Sequence, residues 1–135
     1  MTLEGLTAAA GLVAVAGLTG VLSLRLLFLR RAQEWAAHNG YSLQGDVTLG
    51  YFRKLFFDRK RERFSVWQPI REPFELAYAD LTSDEWRPVT RDAGRWTIMT
   101  RNPLRPIQTF PIGLSAGPRI TAAMLANIPG YQRLR

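Results

Sequence analysis

The first part of the chain is apolar and carries no charge. Residues 5–24 contain no charged side chain, and Arg25 interrupts an apolar stretch that continues to residue 29. A helix rises about 1.5 Å per residue, so a run of this length matches the roughly 30 Å of hydrocarbon in a bilayer. The pattern therefore predicts a transmembrane anchor with a basic flank over residues 1–31.

The residues on either side of this span predict its orientation. No Lys or Arg precedes it, whereas Arg25, Arg30 and Arg31 follow it, and positive residues stay on the cytoplasmic side. We expect a single-pass protein of the inner or plasma membrane, with its N-terminus outside and its C-terminal domain in the cytoplasm. A signal peptide cleaved near residues 14–16 is the alternative, although the stretch lacks a basic start and continues well beyond those residues.

Small residues recur four positions apart within the apolar stretch, which places them on one helix face. The pairs are Thr7 with Gly11 and Ala16 with Gly20. Such spacing lets two helix backbones approach closely, which predicts a protein partner or a homodimer through the anchor. The alternative is that Ala and Gly are simply common in membrane helices. Residues 32–40 are predicted to extend the helix beyond the membrane, with Asn39 and Gly40 ending it.

From residue 41 onward the hydrophobic pattern changes to the alternation that is typical of strands. Apolar stretches at 51–57 and 64–66 flank a turn at 58–60, which predicts a hairpin. Further strands are predicted at 74–78, 95–98 and 107–112, and a final helix at 118–128. The predicted fold class is α+β: an N-terminal transmembrane helix followed by a small antiparallel sheet closed by a C-terminal helix, with residues 41–135 forming the domain.

The charge of the chain adds a candidate binding surface. The formal net charge is +7, and the basic residues concentrate around the predicted hairpin. This group consists of Arg53, Lys54, Arg59, Lys60, Arg61 and Arg63. Such a cluster suits anionic lipid headgroups, because basic residues near a membrane surface gain about 1 kcal/mol each. The alternative is a solvated surface, and a nucleic-acid partner is the least favoured reading.

Catalytic signals in the sequence are incomplete. Residues 113–117 read Gly-Leu-Ser-Ala-Gly, the pattern of a nucleophile elbow around Ser115. However, no acidic residue or histidine follows Ser115, and His38 is the only histidine, so the base and acid that such a serine requires are missing. We predict no catalytic, cofactor or metal site. The acidic group Asp80, Asp84 and Glu85 is interpreted as a solvated turn.

Three segments together resemble the small bacterial pleckstrin-homology-like domains. Residues 55–64 read as an apolar stretch, an aspartate, a basic turn and a second apolar stretch; residues 76–81 contain Tyr-x-Asp-Leu; and residues 95–99 follow as a further strand. The resemblance covers roughly residues 41–130 and implies a binding or scaffolding module without catalytic residues. We therefore expect a membrane-anchored interaction domain, with a small accessory subunit of a larger membrane complex as the alternative.

Overall fold

The computed structural model describes the backbone of residues 3–134 and the side chains of residues 20 and 22–132. Two α-helices and seven strands make up most of this part of the chain. Their bounds are α1 Leu3–His38, β1 Val47–Gly50, β2 Arg53–Asp58, β3 Arg63–Trp67, β4 Phe74–Ala77, β5 Leu81–Pro88, β6 Ala93–Thr100, β7 Ile107–Gly113 and α2 Ala116–Asn127. Short 3₁₀ turns occupy Tyr78–Asp80 and Tyr131–Leu134.

The strands form two antiparallel sheets instead of the single sheet expected from the sequence. Sheet A has the order β1-β2-β3-β4 and sheet B the order β5-β6-β7. The predicted fold class is wrong on this point because the 3₁₀ turn Tyr78–Asp80 separates β4 from β5. The hydrophobic pattern does not predict β1, which has only four residues, or β5, which carries four polar residues in succession at 82–85.

Strands β2 and β3 are buried along almost their whole length. Leu55 and Phe57 face the main core between the sheets, whereas Phe56 lies on the outer face of sheet A. A second, smaller cluster covers that outer face and consists of Ala32, Ala36, Tyr41, Phe56 and Trp67. Helix α1 supplies its two alanines, so α1 packs directly on sheet A. Strand β6, by contrast, alternates between buried and exposed positions along its length.

The main core lies between the two sheets and under α2. Its largest buried side chains are Trp96, Tyr131, Phe64, Phe110, Leu49, Leu55, Leu81, Ile98, Ile112, Ile120 and Met124. The predicted C-terminal helix is present as α2, which packs against β1 and β7. Trp86 of β5 donates from Nε1 to Thr121 Oγ1 at 3.2 Å, and a Cβ at Gly117 would lie only 2.4 Å from the Trp86 ring. Gly117 therefore permits the close packing of α2 on β5.

The C-terminal end of α1 is fixed to the β2–β3 hairpin by two arginines. The carbonyl oxygen of Asn39 accepts hydrogen bonds from Arg61 Nη2 at 2.5 Å and from Arg63 Nη2 at 2.6 Å. Gly40 follows with a φ of +82°, and a Cβ there would overlap the Arg61 guanidinium. The predicted end of the helix at Asn39 and Gly40 agrees with the end of α1 at His38. The glycine is needed both for its backbone angle and for the space it leaves.

Asp58 holds the same two arginines in place. Its Oδ2 accepts from Arg61 Nε at 2.6 Å and from Arg63 Nε at 3.3 Å, and its Oδ1 accepts from the Arg61 amide at 3.1 Å. Burial raises the pKa of the Asp58 carboxyl, but these hydrogen bonds and the nearby positive charge outweigh burial. The pKa of Asp58 therefore lies below its usual value. The ionised carboxylate is thus the stable form, and it keeps both guanidinium groups aimed at the helix end.

The predicted transmembrane anchor is wrong. Within the part of the chain that the structure describes, no helix is both long enough and apolar enough to cross a bilayer. From Phe28 onward, one face of α1 packs on sheet A and the opposite face is exposed. Ala32 and Ala36 are buried on the sheet, while Arg30 and Glu34 form an exposed ion pair. Four further predictions depended on that anchor and are wrong for the same reason. They are the single-pass topology, the membrane location, the membrane-anchored interaction domain and the accessory membrane subunit.

The predicted helix-pairing residues fall mostly outside the described side chains. Thr7, Gly11 and Ala16 lie outside the described side chains. Gly20 is exposed, and a Cβ there would meet no atom within 4 Å. Helix pairing stays a prediction.

Asp84 contradicts the interpretation of residues 80–85 as a solvated turn. It lies in β5 and is only 7% exposed. Its Oδ1 accepts from the Tyr131 hydroxyl at 2.5 Å and its Oδ2 from Trp96 Nε1 at 2.9 Å. The carboxylate therefore satisfies two donors that burial would otherwise leave without a partner. This contact ties the residues after α2 to both β5 and β6.

Replacing Asp84 tests this contact. We expect Asp84→Asn to lower the free energy of unfolding by about 1–3 kcal/mol, because the amide can accept only through its one oxygen and leaves a buried donor unsatisfied. Urea denaturation measures the change. The matched control is Glu85→Gln on the neighbouring exposed position, for which we expect less than about 0.5 kcal/mol. Equal effects for the two variants would contradict the buried contact.

Candidate binding site between the first helix and the first hairpin

The six basic residues singled out in the sequence do not form one surface. Arg53 and Lys54 lie at the start of β2, whereas residues 59–63 lie at its other end and in the turn beyond. A six-residue strand spans roughly 17–20 Å, which separates the two groups. The structure therefore divides the predicted cluster between opposite ends of sheet A.

Three of these six side chains form ion pairs within the fold. Lys54 is buried and pairs with Asp46. Arg61 and Arg63 pair with Asp58 and bind the end of α1, and Arg63 also lies 4.7 Å from the centre of the Tyr41 ring. Their positive charge is used to position α1. Arg59 and Lys60 are exposed in the β2–β3 turn, with no ion pair to any described residue.

A cleft lies where α1 passes the β1–β2 turn. It has a volume of about 600 Å³ and is lined by Arg25, Phe28 and Leu29 of α1 and by Thr48 and residues 50–54 of the hairpin. The rings of Phe28 and Phe52 meet edge to face at 5.1 Å between their centres. Aromatic and aliphatic side chains with a few cationic groups line this space, and its volume falls in the range of small-ligand sites.

The β1–β2 turn holds two aromatic residues in a strained backbone conformation. Tyr51 has a φ of +53° and Phe52 a φ of +62°, angles that favour Asn and Gly in a two-residue hairpin turn. For a residue other than glycine, this left-handed conformation costs about 1–2 kcal/mol of conformational free energy. Both side chains are nevertheless exposed, Tyr51 by 53% and Phe52 by 39%. Phe52 contacts Phe28, but neither aromatic belongs to the two buried clusters, so core packing does not explain the tyrosine at position 51.

More apolar surface is exposed on α1 near the same cleft. Leu22, Leu24, Leu26 and Leu27 are between 44% and 65% exposed. Together with Tyr51 and Phe52 they place six large apolar side chains at this end of the described structure. Exposed large apolar side chains that are grouped at one end of a fold are typical of binding surfaces.

Arg53 lies beside the cleft in an environment that favours a bound anion. It is partly buried, and its Nε donates to Gln68 Oε1 at 3.2 Å. Gln68 is held in turn by a hydrogen bond from its Nε2 to the Glu72 carbonyl at 3.3 Å. Burial and then the charge of the nearby Arg71 lower the pKa of the Arg53 guanidinium. No ion pair to Arg25, Arg53 or Arg71 is present among the described residues.

Sequence reasoning found only part of this site. It singled out Arg53 and Lys54 but missed Arg71, which lies in the β3–β4 connection, and it treated Tyr51 and Phe52 as part of a strand. One signal in the sequence could have indicated the turn. Gly50 stands directly before the two aromatics, between the short stretches 47–49 and 53–57. The spatial proximity of Arg53 and Arg71 depends on the pairing of β2 with β3, which a sequence pattern alone does not fix.

Two other clefts lack this combination of features. One of about 720 Å³ lies over β5 and β6 and includes the exposed pair of Arg87 with Glu85. The other, of about 400 Å³, lies beside the end of α2 and includes Arg59. Neither has bulky residues held at positive φ. The cleft at the β1–β2 turn is therefore the stronger candidate.

The residues around Ser115 serve the fold. Ser115 precedes α2, is exposed and makes no side-chain capping hydrogen bond. Gly117 is required by the Trp86 ring, as described above. Among the residues that the structure describes, no group of three potential metal-ligating side chains occurs.

Comparisons with protein-family models, with characterised proteins and with solved structures gave no significant match. The resemblance to pleckstrin-homology-like domains therefore stays a prediction. Function has to be inferred from the geometry of the described residues.

The strain in the β1–β2 turn can be measured directly. We expect Tyr51→Asn to raise the free energy of unfolding by about 0.5–1 kcal/mol, because Asn adopts positive φ more readily and the exposed tyrosine contributes little packing. Leu104→Asn is the control, since Leu104 is 89% exposed and lies at an ordinary φ. A loss of stability in Tyr51→Asn larger than in the control would show that the tyrosine supports the fold.

Proposed function

We propose that this chain is a binding module for anionic lipid, and that the cleft between α1 and the β1–β2 turn holds the lipid. The proposal concerns contact with lipid molecules at this cleft and requires no helix across a bilayer. It assigns no catalytic residue. The supporting features are the exposed apolar side chains, the cations beside them and the strain that the turn sustains.

The strained aromatic turn is the observation that carries the proposal. Asn or Gly at positions 51 and 52 would fit the backbone better, and neither aromatic belongs to the buried core, although Phe52 contacts Phe28. Backbone strain of this kind is typical of functional sites, because it is retained where another role depends on it. Tyrosine and phenylalanine are suited to the boundary between headgroups and acyl chains.

The charges beside the turn select the kind of lipid. Arg25 and Arg53 line the cleft, and the charge of Arg71 lowers the pKa of Arg53 after the larger effect of burial. Lys54 does not add to this charge, because Asp46 neutralises it. The apolar walls suit acyl chains and the arginines suit a negative headgroup. A neutral lipid would leave the partly buried Arg53 without a counter-charge.

The six basic residues singled out in the sequence lie at two opposite ends of sheet A, and this changes the interpretation of the predicted cluster. Arg53 lies at the cleft, whereas Arg59 and Lys60 lie at the opposite end of β2. We therefore assign lipid contact to Arg53 and treat Arg59 and Lys60 as a separate exposed group. The resemblance to pleckstrin-homology-like domains supports a binding role in general, and a protein partner stays a prediction.

Vesicle binding by the full chain tests the proposal. We expect the double variant Tyr51→Asn, Phe52→Gly to bind vesicles containing phosphatidylglycerol about tenfold more weakly than the natural chain, a loss of about 1.4 kcal/mol. The reason is that two apolar side chains no longer enter the lipid. Co-sedimentation over a range of lipid concentrations gives the affinities.

Two controls separate this site from general attraction. Val89→Asn with Leu104→Gly removes exposed apolar side chains elsewhere and should bind like the natural chain. Arg53→Glu should weaken binding more than Arg59→Glu with Lys60→Glu, although the latter removes more positive charge. Wild-type affinity of the Tyr51 and Phe52 variant, or a larger loss from residues 59 and 60, would contradict the proposed site.

A further inference from the structure

The basic side chains of the β2–β3 hairpin differ in the kind of group that holds them. Lys54, Arg61 and Arg63 pair with carboxylates, which neutralise their charge. Arg53 instead donates from its Nε to an amide oxygen, Gln68 Oε1, at 3.2 Å. An amide oxygen accepts this hydrogen bond without supplying a negative charge. The Arg53 guanidinium is therefore held in place while its charge stays available to a ligand.

Gln68 is itself fixed in one orientation by a second hydrogen bond. It is only 8% exposed, and its Nε2 donates to the Glu72 carbonyl oxygen at 3.3 Å. A guanidinium only donates and a carbonyl oxygen only accepts, so the two contacts together determine which end of the amide faces Arg53. A glutamate could not make both contacts, because an ionised carboxylate has no proton to donate. Glutamine therefore suits a partner that orients a cation without neutralising it.

The pairing of β2 with β3 brings Gln68 next to Arg53. Lys54 lies opposite Trp67 in the antiparallel register, so the next position on each side of the hairpin is occupied by Arg53 and Gln68. Arg53 belongs to the lining of the cleft, whereas Gln68 does not. Any effect of Gln68 on a ligand in the cleft is therefore expected to act through Arg53.

The two terminal nitrogens of Arg53 are the part of its guanidinium that is left for a ligand. No hydrogen bond from either of them to a described residue is present. In arginine these nitrogens form a planar fork that binds two oxygens of one anion, a contact that lysine cannot reproduce. The hydrogen bond at Nε restricts the rotation of this fork before a ligand arrives. Such preorganisation raises affinity because less conformational freedom is lost on binding.

We propose that Gln68 is a positioning residue of the lipid site, which holds Arg53 so that its two terminal nitrogens meet two oxygens of one headgroup phosphate. This inference rests on the proposed function, since it specifies how the cleft contacts the headgroup of an anionic lipid. The contact depends on geometry as well as on charge. Gln68 thus contributes to lipid affinity although it is uncharged and lies outside the lining of the cleft.

A double-mutant cycle tests this role with the full chain and vesicles containing phosphatidylglycerol. We expect Gln68→Leu to weaken binding about fivefold and Arg53→Lys about tenfold, because the first leaves the fork unoriented and the second removes it. In the Arg53→Lys background, Gln68→Leu should change the affinity by less than about twofold, since no fork remains to be oriented. Co-sedimentation gives the four affinities.

Two further variants complete the cycle. Gln68→Glu keeps an acceptor for Arg53 but neutralises its charge, so it should weaken binding at least as much as Gln68→Leu. It also provides a second test at this position if Gln68→Leu folds poorly, which urea denaturation reveals. Gln108→Leu replaces a half-buried glutamine of β7 and is the matched control, which should bind like the natural chain.

The motion of the Arg53 side chain gives a readout that a change in the fold would not move alone. Nitrogen-15 relaxation of the Arg53 Nε–H group measures its motion on the picosecond to nanosecond timescale. In the natural chain without lipid, we expect this group to be as rigid as the backbone amides of β2 and β3. In Gln68→Leu it should become mobile while those amides stay rigid.

The outcomes separate the two proposals. Natural affinity in both Gln68 variants, an equal loss from Gln68→Leu in the Arg53→Lys background, or an Arg53 Nε–H group that stays rigid in Gln68→Leu would overturn the positioning role. The Tyr51 and Phe52 double variant tests the proposed function itself. If that variant binds normally, lipid binding at this cleft is wrong; if it loses affinity while the Gln68 variants do not, only the positioning role is wrong.

Discussion

The packing of α1 on the outer face of sheet A determines the rest of this structure. Ala32 and Ala36 let the helix approach Phe56 and Trp67 closely, and the Asn39 carbonyl receives two guanidinium groups from the hairpin. Strands β2 and β3 are consequently buried on both faces. Because α1 is held at its end and along its side, it passes the β1–β2 turn at a fixed place. The candidate cleft is the space between α1 and that turn, so it depends on this packing.

The binding site uses interactions that are unfavourable for the isolated chain. Tyr51 and Phe52 occupy a backbone conformation that suits smaller residues, four leucines of α1 are exposed, and Arg53 is partly buried without an ion pair to a described residue. Each feature lowers the stability of the unliganded protein. A ligand with apolar chains and a negative headgroup would cover the exposed apolar side chains and neutralise Arg53, while the backbone of the turn would keep its conformation. This coincidence at one end of the fold is the basis of the functional proposal.

Sequence reasoning located the elements whose patterns are local. The turn between β2 and β3, the strand at β7, the end of α1 before Gly40 and the C-terminal helix follow from alternation and from Gly and Pro positions. Other features depend on tertiary contacts. Asp84 is acidic and yet buried, because Trp96 and Tyr131 donate to it. The charge of Arg61 suggested a ligand contact, but the structure uses it to hold α1. An uncharged run of residues suggested a membrane crossing that no described helix supports.

The proposed site can be located most directly by nuclear magnetic resonance with a spin-labelled anionic lipid. The isotope-labelled full chain is titrated with spin-labelled, short-chain phosphatidylglycerol below its critical aggregation concentration, and the paramagnetic broadening of each amide signal is measured. The account predicts the strongest broadening at residues 25–29 and 50–54, with residues 59–62 unaffected. Broadening centred on residues 59–62, or on the exposed face of β5 and β6, would contradict it.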